Sequence, residues 1–151
     1  MKIFIAADHL GVESKERIIV YLKANEIEVL EIDLKNSELD DYPDFAFKLG
    51  EVVRKDNNAI GILICGNGIG MSIAANKVKG IRCARVTDVD DAFKAKNHNG
   101  ANVIAMGANL DFELQKEIVD TFISTKYPSL ERYLNRINKI IKYENGEYNE
   151  L

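Results

Sequence analysis

The 151-residue chain reads as an α/β domain, one parallel sheet of five strands with helices on both faces. Three observations carry that expectation. Five short runs of apolar residues recur along the chain, each about the length of a strand. Between them lie longer stretches whose apolar residues repeat at helical spacing, and strands alternating with helices build parallel sheets. The length suits a single domain over residues 1–151, and 46% hydrophobic residues suit a packed core rather than a disordered chain. No repeat, linker or low-complexity segment interrupts the pattern.

Taken in order, residues 2–7 form the first strand, ending at Asp8 and His9. Gly11 precedes a helix to about residue 24, with Ile18, Ile19 and Leu22 on its apolar face. Residues 28–34 read as the second strand and residues 35–41 as a polar loop. Asp41-Tyr42-Pro43 reads as a helix start, because proline suits the first helical turn. That helix carries Phe45, Ala46, Leu49, Val52 and Val53, and Asp56-Asn57-Asn58 ends it. Residues 59–65 are the third strand, the most buried in character, and residues 72–77 form a short helix closed by Gly80. Residues 81–86 are the fourth strand. Thr87 or Asp88 can cap the next helix, which runs to about residue 97, with Asn99-Gly100 suited to its C-terminal cap. Residues 103–106 are the fifth strand, followed by Gly107. Residues 111–125 carry Leu114, Ile118 and Phe122 four apart, a helix that Pro128 breaks. A last helix runs from residue 130 to about 143 with Leu134, Ile137 and Ile141 inward, and from residue 144 the chain reads as a polar, frayed tail.

The formal net charge of −4 gives no global attraction to nucleic acid or to an anionic membrane, so any anion site must be local. The apolar run at residues 1–7 is too short for a signal peptide, and no run reaches the roughly 18 residues of a membrane span. The expected compartment is the cytoplasm. Two cysteines, Cys65 and Cys83, suggest no disulfide framework, and no acidic residue shows metal-ligand spacing with His or Cys, so no metal is expected.

Chemistry concentrates after the third strand. Cys65 is followed by Gly66, Asn67, Gly68, Ile69 and Gly70, with glycine at alternate positions. A strand that runs through glycines into a helix makes a pocket of inward-pointing backbone N–H groups, which holds anions. Cys65 stands at its mouth, where a helix N-terminus favours the thiolate. The bland alternative is inert packing, the usual fate of a buried cysteine and the reading given to Cys83. In open parallel sheets ligands bind beyond the carboxyl ends of the strands. There the strands deliver Asp8 and His9, Cys65 and the glycine loop, and Gly107, Ala108 and Asn109. Asp8 also suits a helix cap. His98 lies at the far end of a helix of about eleven residues, roughly 16 Å long. It should not reach Cys65 within one subunit; if both serve one site, two subunits share it. Arg132 and Arg136 lie four apart on one helical face, where they can hold a phosphate or merely form a solvated face.

Together these residues resemble the ribose-5-phosphate isomerase B family, which also contains the galactose-6-phosphate isomerase subunits. The matching stretches are Ala7-Asp8-His9, Asp41-Tyr42-Pro43-Asp44, the long run from Gly61 to Lys77, Gly80-Ile81-Arg82, His98-Asn99 with Ala101-Asn102-Val103, and Arg132 with Arg136. The resemblance implies a three-layer α/β/α Rossmann-like fold with sheet order 2-1-3-5-4, which the residues alone do not separate from 2-1-3-4-5. It implies an aldose–ketose isomerase that needs no cofactor. Its substrate would be a phosphorylated pentose, with a phosphorylated hexose as the alternative. It also implies a homodimer, in some members a tetramer, with sites between subunits. By resemblance Cys65 is the base that moves the carbon proton through a cis-enediolate, and His98 with Asp8 assists ring opening. The backbone of Gly66, Asn67, Gly68, Ile69 and Gly70 would stabilise the enediolate oxygen. His9, Arg132 and Arg136 would bind phosphate, Asn99 would contact sugar hydroxyls, and Tyr42 and Asn109 would line the substrate site.

Two positions depart from the family pattern. Asn67 stands where threonine is usual, and an amide cannot relay a proton as a hydroxyl does, so Ser72, a water or a substrate hydroxyl would take that part. Asn109 stands where many members have a phosphate-contacting arginine. These departures keep four alternatives open: a galactose-6-phosphate isomerase subunit, an allose-6-phosphate isomerase, a non-catalytic sugar-phosphate binder, and a nucleotide-binding module. For the last, Met71 stands where a dinucleotide fingerprint needs its third glycine, although Asp88 follows at a suitable distance for a ribose.

Overall fold

The computed structural model describes residues 1–150. Its elements run β1 (Lys2–Ala7), α1 (Val12–Ala24), β2 (Val29–Glu31), α2 (Tyr42–Val53), β3 (Ala59–Cys65), α3 (Ile69–Ala75), β4 (Cys83–Arg85), α4 (Val89–Asn97), β5 (Val103–Gly107), α5 (Phe112–Ser124) and α6 (Glu131–Glu144). The five strands pair in parallel in the order β2-β1-β3-β5-β4, which selects one of the two orders left open by the residues.

Side chains alternate across a strand, and that alternation splits the core in two. Ile60, Ile62 and Ile64 of β3 join Ile18 and Leu22 of α1, Ala92 and Ala95 of α4, and Ile118 and Phe122 of α5. Leu63 and Cys65 point the other way, into Phe45, Ala46 and Leu49 of α2 and Met71 and Ala75 of α3. All seven residues of β3 are buried, as expected of a central strand covered on both faces.

Several boundaries move from their expected places. Edge strand β2 keeps three residues; Ile32 still donates to the Ile5 carbonyl (3.0 Å), but the Leu34 N–H turns back to Ile32 O (2.9 Å) and leaves the sheet. β4 begins at Cys83 because the Ile81 N–H closes a turn on Val78 O (3.1 Å). Helix α3 starts at Ile69, three residues early, since Gly68 adopts φ 78°, a left-handed conformation that glycine tolerates. Asp88, rather than Thr87, caps α4 by accepting the Asp91 N–H (2.7 Å). On α6 the buried residues are Tyr133 and Ile137, whereas Leu134 and Ile141 are half-buried. The tail is not simply frayed: Glu150 folds back to Lys139 (2.8 Å), and Glu144 accepts the Gly80 N–H (2.8 Å).

Register aligns the functional ends. Ala7 pairs with Ile64 and Cys65 with Gly107, so β1, β3 and β5 finish side by side at one edge. The seven residues of β3 put the opposite edge about 20 Å away. Among the described residues no helix is long and apolar enough to cross a membrane.

Candidate active site

Cys65 ends β3 with its side chain turned under α3, and the residue is only 5% exposed. It therefore does not stand at an open mouth, as expected; its sulfur accepts the Gly68 N–H at 3.2 Å. The left-handed Gly68 makes that approach, and a Cβ there would stand 3.0 Å from the Ala105 carbonyl oxygen. Asn67 turns its Oδ1 onto the Ile69 N–H (3.0 Å), and its carbonyl accepts Arg85 Nε (2.9 Å). Two of the five loop N–H groups expected to face a ligand are thus engaged within the loop. Gly70 makes room for Tyr42: a Cβ at Gly70 would meet the ring at 2.6 Å.

Asp8 follows β1 and is 5% exposed. Its N–H holds Ile64 O (3.2 Å), and its Oδ1 accepts the N–H groups of Leu10 (3.1 Å) and Gly11 (3.3 Å). Asp8 thus closes the turn ahead of α1, whose N-cap is Gly11, instead of capping that helix itself. Burial pushes its pKa up, against the opposing pull of those two N–H groups and the His9 charge. A carboxyl so placed holds its proton more readily than an exposed one.

His9 is fastened to a residue that the pattern did not single out. Asp40 Oδ1 accepts both the His9 N–H (2.9 Å) and ring Nδ1 (2.7 Å). Asp40 Oδ2 accepts Asn36 Nδ2 (2.9 Å) and the Ser37 N–H (3.1 Å), and Asn36 also donates to Ala7 O (2.8 Å). Burial alone would raise the Asp40 pKa; the hydrogen bonds from Asn36, His9 and Ser37 outweigh it and lower it to about 2. The Asp40 hydrogen bond in turn raises the pKa of His9.

Asn109 completes this edge. Its Oδ1 fills the space where a Gly107 side chain would stand, beside Asn67 Cα and Gly66 O. Gln115, 1% exposed, holds that turn through Nε2 to Gly107 O (3.1 Å) and Leu110 O (3.2 Å).

The remaining candidates gather elsewhere. His98 caps the far end of α4, whose helix runs back towards the amino edge of the sheet. Its ring stacks on Tyr133 of α6 (centroids 4.5 Å, 24°) and meets Phe93 edge-on (6.0 Å). Arg132 donates to the Tyr133 hydroxyl (2.8 Å) and covers its ring at 4.7 Å. Asn99 donates to Lys94 O (3.1 Å), and Arg136 lies one turn beyond Arg132. A cavity of about 550 Å³ beside this group is lined by Asn99, Cys83, Ile140 and Tyr143 among others. Another of about 380 Å³, lined by Arg82, Lys96 and Asn102 among others, includes none of the candidate residues. The candidates of one chain thus fall into two separate groups. Asp8, His9, Tyr42, Cys65, the loop and Asn109 stand at the carboxyl edge; His98, Asn99, Arg132 and Arg136 stand away from it.

Cys83 is packing, and burial drives its thiol up to about 12. Among the described residues no three His, Cys, Asp or Glu side chains gather as a metal-holding group.

Residues 3–140 match the family described as ribose/galactose isomerase. The chain belongs to that family. Within it, the chain is 42% identical over 146 residues to the probable ribose-5-phosphate isomerase B of Mycoplasma pneumoniae, covering 94% of each. It is 36% identical to ribose-5-phosphate isomerase B of Mycobacterium tuberculosis, over 95% of this chain and 90% of that one. The type B ribose 5-phosphate isomerase structure from Trypanosoma cruzi superposes with a TM-score of 0.90 at 38% identity, over 97% and 99% of the two chains. The Mycoplasma genitalium ribose-5-phosphate isomerase B structure with bound ribulose-5-phosphate gives 0.90 at 39% identity, over 95% and 96%.

Three residues of this ribose/galactose isomerase escape a reading by pattern. Asp40 lies in a loop read only as polar, although Asn36-Ser37 four and three residues before it is a turn signal. Tyr133 looks like a surface aromatic until His98 stacks on it. Gln115 is a lone amide; Ile118, Val119 and Phe122 three, four and seven residues on mark its face as buried, but nothing marks the carbonyls it holds.

Proposed function

We propose that this ribose/galactose isomerase interconverts ribose 5-phosphate and ribulose 5-phosphate, as a cytoplasmic homodimer whose two sites each draw on both subunits. The observation that carries the reading is the Gly68 N–H on the Cys65 sulfur, beside the buried Asp8. Its support from kin is the ribulose-5-phosphate bound by the Mycoplasma genitalium structure.

The sugar opens first. A proton leaves the ring's anomeric hydroxyl and another reaches the ring oxygen, with Asp8 of one subunit and His98 of a second copy as the exchanging groups. Cys65 as thiolate then takes the proton from carbon two, and the electron pair forms the carbon–carbon double bond of a cis-enediolate. Backbone N–H groups of the glycine loop steady the oxygen that gains charge, each donor worth about 3 kcal/mol in the transition state. Cys65 returns the proton to carbon one, and a hydrogen moves between the two oxygens. Asn67 cannot relay that hydrogen, so Ser72, a water or the sugar's own hydroxyl does. His9, with Arg132 and Arg136 of the second copy, holds the phosphate.

Two subunits are needed because His98 and Cys65 stand at opposed ends of one chain. The α6 face that carries Arg132 and Arg136 continues through the exposed Ile140 and Tyr143, an apolar extension suited to a second copy.

A coupled isomerase assay across pentose and hexose phosphates tests the reading. Turnover of ribose 5-phosphate above all others is expected. Preference for galactose 6-phosphate or allose 6-phosphate overturns the substrate. No turnover, with a sugar phosphate or a dinucleotide still raising the melting temperature, makes the protein a binding module instead.

A further inference from the structure

We infer that Asp40 is a positioning residue that makes His9 a cationic phosphate clamp, a role that rests on the phosphosugar reading above. The geometry is specific. A carboxylate only accepts hydrogen bonds, so ring Nδ1 must carry the hydrogen it shares with Asp40 at 2.7 Å. That leaves Nε2 on the other side of the ring, away from Asp40. If His9 is neutral, Nε2 presents a lone pair and repels a phosphate oxygen. If His9 is charged, Nε2 presents an N–H and binds it. With Asp40 in place, the tautomer is settled and only protonation decides whether His9 offers the phosphate a donor.

The surroundings favour the charged form. The groups whose charge His9 feels are Asp40 and Asp8, both carboxyls. The Asp40 side chain is 7% exposed and the His9 side chain 38%, so the acid is anchored and the base reaches outward. Asp40 is itself held on the far side by Asn36 and Ser37, and Asn36 ties the loop to the end of β1 through Ala7 O. The strand that delivers Asp8 therefore also sets the place of the His9 clamp.

The test uses steady-state kinetics on ribose 5-phosphate at pH 6 and pH 8 with wild type, Asp40→Asn, His9→Gln and the double variant, with Asp40→Ser as a second probe should the amide disturb the loop. For Asp40→Asn, KM should rise about tenfold at pH 8, as loss of one charged hydrogen bond implies, and by less than about threefold at pH 6, where an unassisted imidazole is still charged. The turnover number should follow neither change. In the His9→Gln background, Asp40→Asn should leave KM unchanged, since Asp40 acts through His9. The chain has two histidines, so one imidazole titration by NMR, assigned with His9→Gln, reads His9 directly. Its midpoint should fall in both Asp40 variants. An unmoved midpoint overturns the inference, and so does a KM penalty equal at both pH values or persisting in His9→Gln. Wild-type protein without turnover on any sugar phosphate would instead remove the underlying reading, whatever the titration shows.

Discussion

The backbone N–H of Gly68 points at the Cys65 sulfur from 3.2 Å, so the loop that follows β3 folds back onto the residue that ends it. The donor is in place before any substrate arrives. A sulfur anion there would accept a hydrogen bond from a fixed main-chain group rather than from water.

Removing the thiol should separate chemistry from folding. Cys65→Ala should lower turnover at least about 10³-fold, the scale of a lost general base. Because the side chain is buried against α3, the same change should also cost about 1–2 kcal/mol of stability. A coupled assay and a denaturant melt on one preparation check both, and retained turnover would exclude Cys65 as the base.

Complementation tests the division between subunits. Cys65→Ala and His98→Ala, each inactive alone, should regain about a quarter of wild-type activity when mixed and randomly reassembled, because half the dimers are mixed and each holds one whole site. Mixed dimers verified by mass spectrometry that stay silent would count against sites shared between subunits.

Gly70 leaves no room for a Cβ beside the Tyr42 ring, but that ring is half exposed and can swing outward. Gly70→Ala should move the Tyr42 ring at a cost of no more than about 1 kcal/mol, since alanine suits a helix better than glycine. Thermal melts follow the cost. Combining it with Tyr42→Ala should recover most of the loss, and a double variant no better than Gly70→Ala would mean the ring is not what resists.

The Asp40–His9 pair should leave a signature in stability against pH. Asp40 is depressed in the folded state to about 2, so its contribution is complete above its ordinary value near 3.8 and is lost as pH falls through about 2. His9 is raised, so its contribution is complete below its ordinary 6.5 and fades as pH climbs through the elevated value. The gap in stability between wild type and Asp40→Asn should be widest between about pH 4 and 6.5. For Asp40 it should be on the order of 1–2 kcal/mol, discounted because its partner is solvated. Urea melts across that range measure it, and a flat difference would refute the pairing.

Much of this was legible in the residues. Apolar alternation and helical spacing mark all five strands and all six helices, because a strand buried on both faces, such as β3, leaves an unbroken apolar run. Strand order is different: nothing local in residues 81–86 says whether they lie inside or outside residues 103–107, since both are short and apolar. Order is decided by which crossover packs, a property of the assembled sheet. The thiol and its glycine loop could be read because their chemistry is written in consecutive residues. Asp40 and Tyr133 could not, because each acts through a contact with a residue distant in the chain, His9 and His98.

The sheet order also governs how the protein can be made. Among the described residues β4 has no neighbour in the sheet except β5, and β5 is also what covers the free edge of β3. A nascent chain that has left the ribosome only as far as Asn102 holds β4 with nothing to pair to and β3 with one flank bare, an invitation to wrong partners. Assembly must wait for Val103–Gly107 to emerge and slip between two strands made before it.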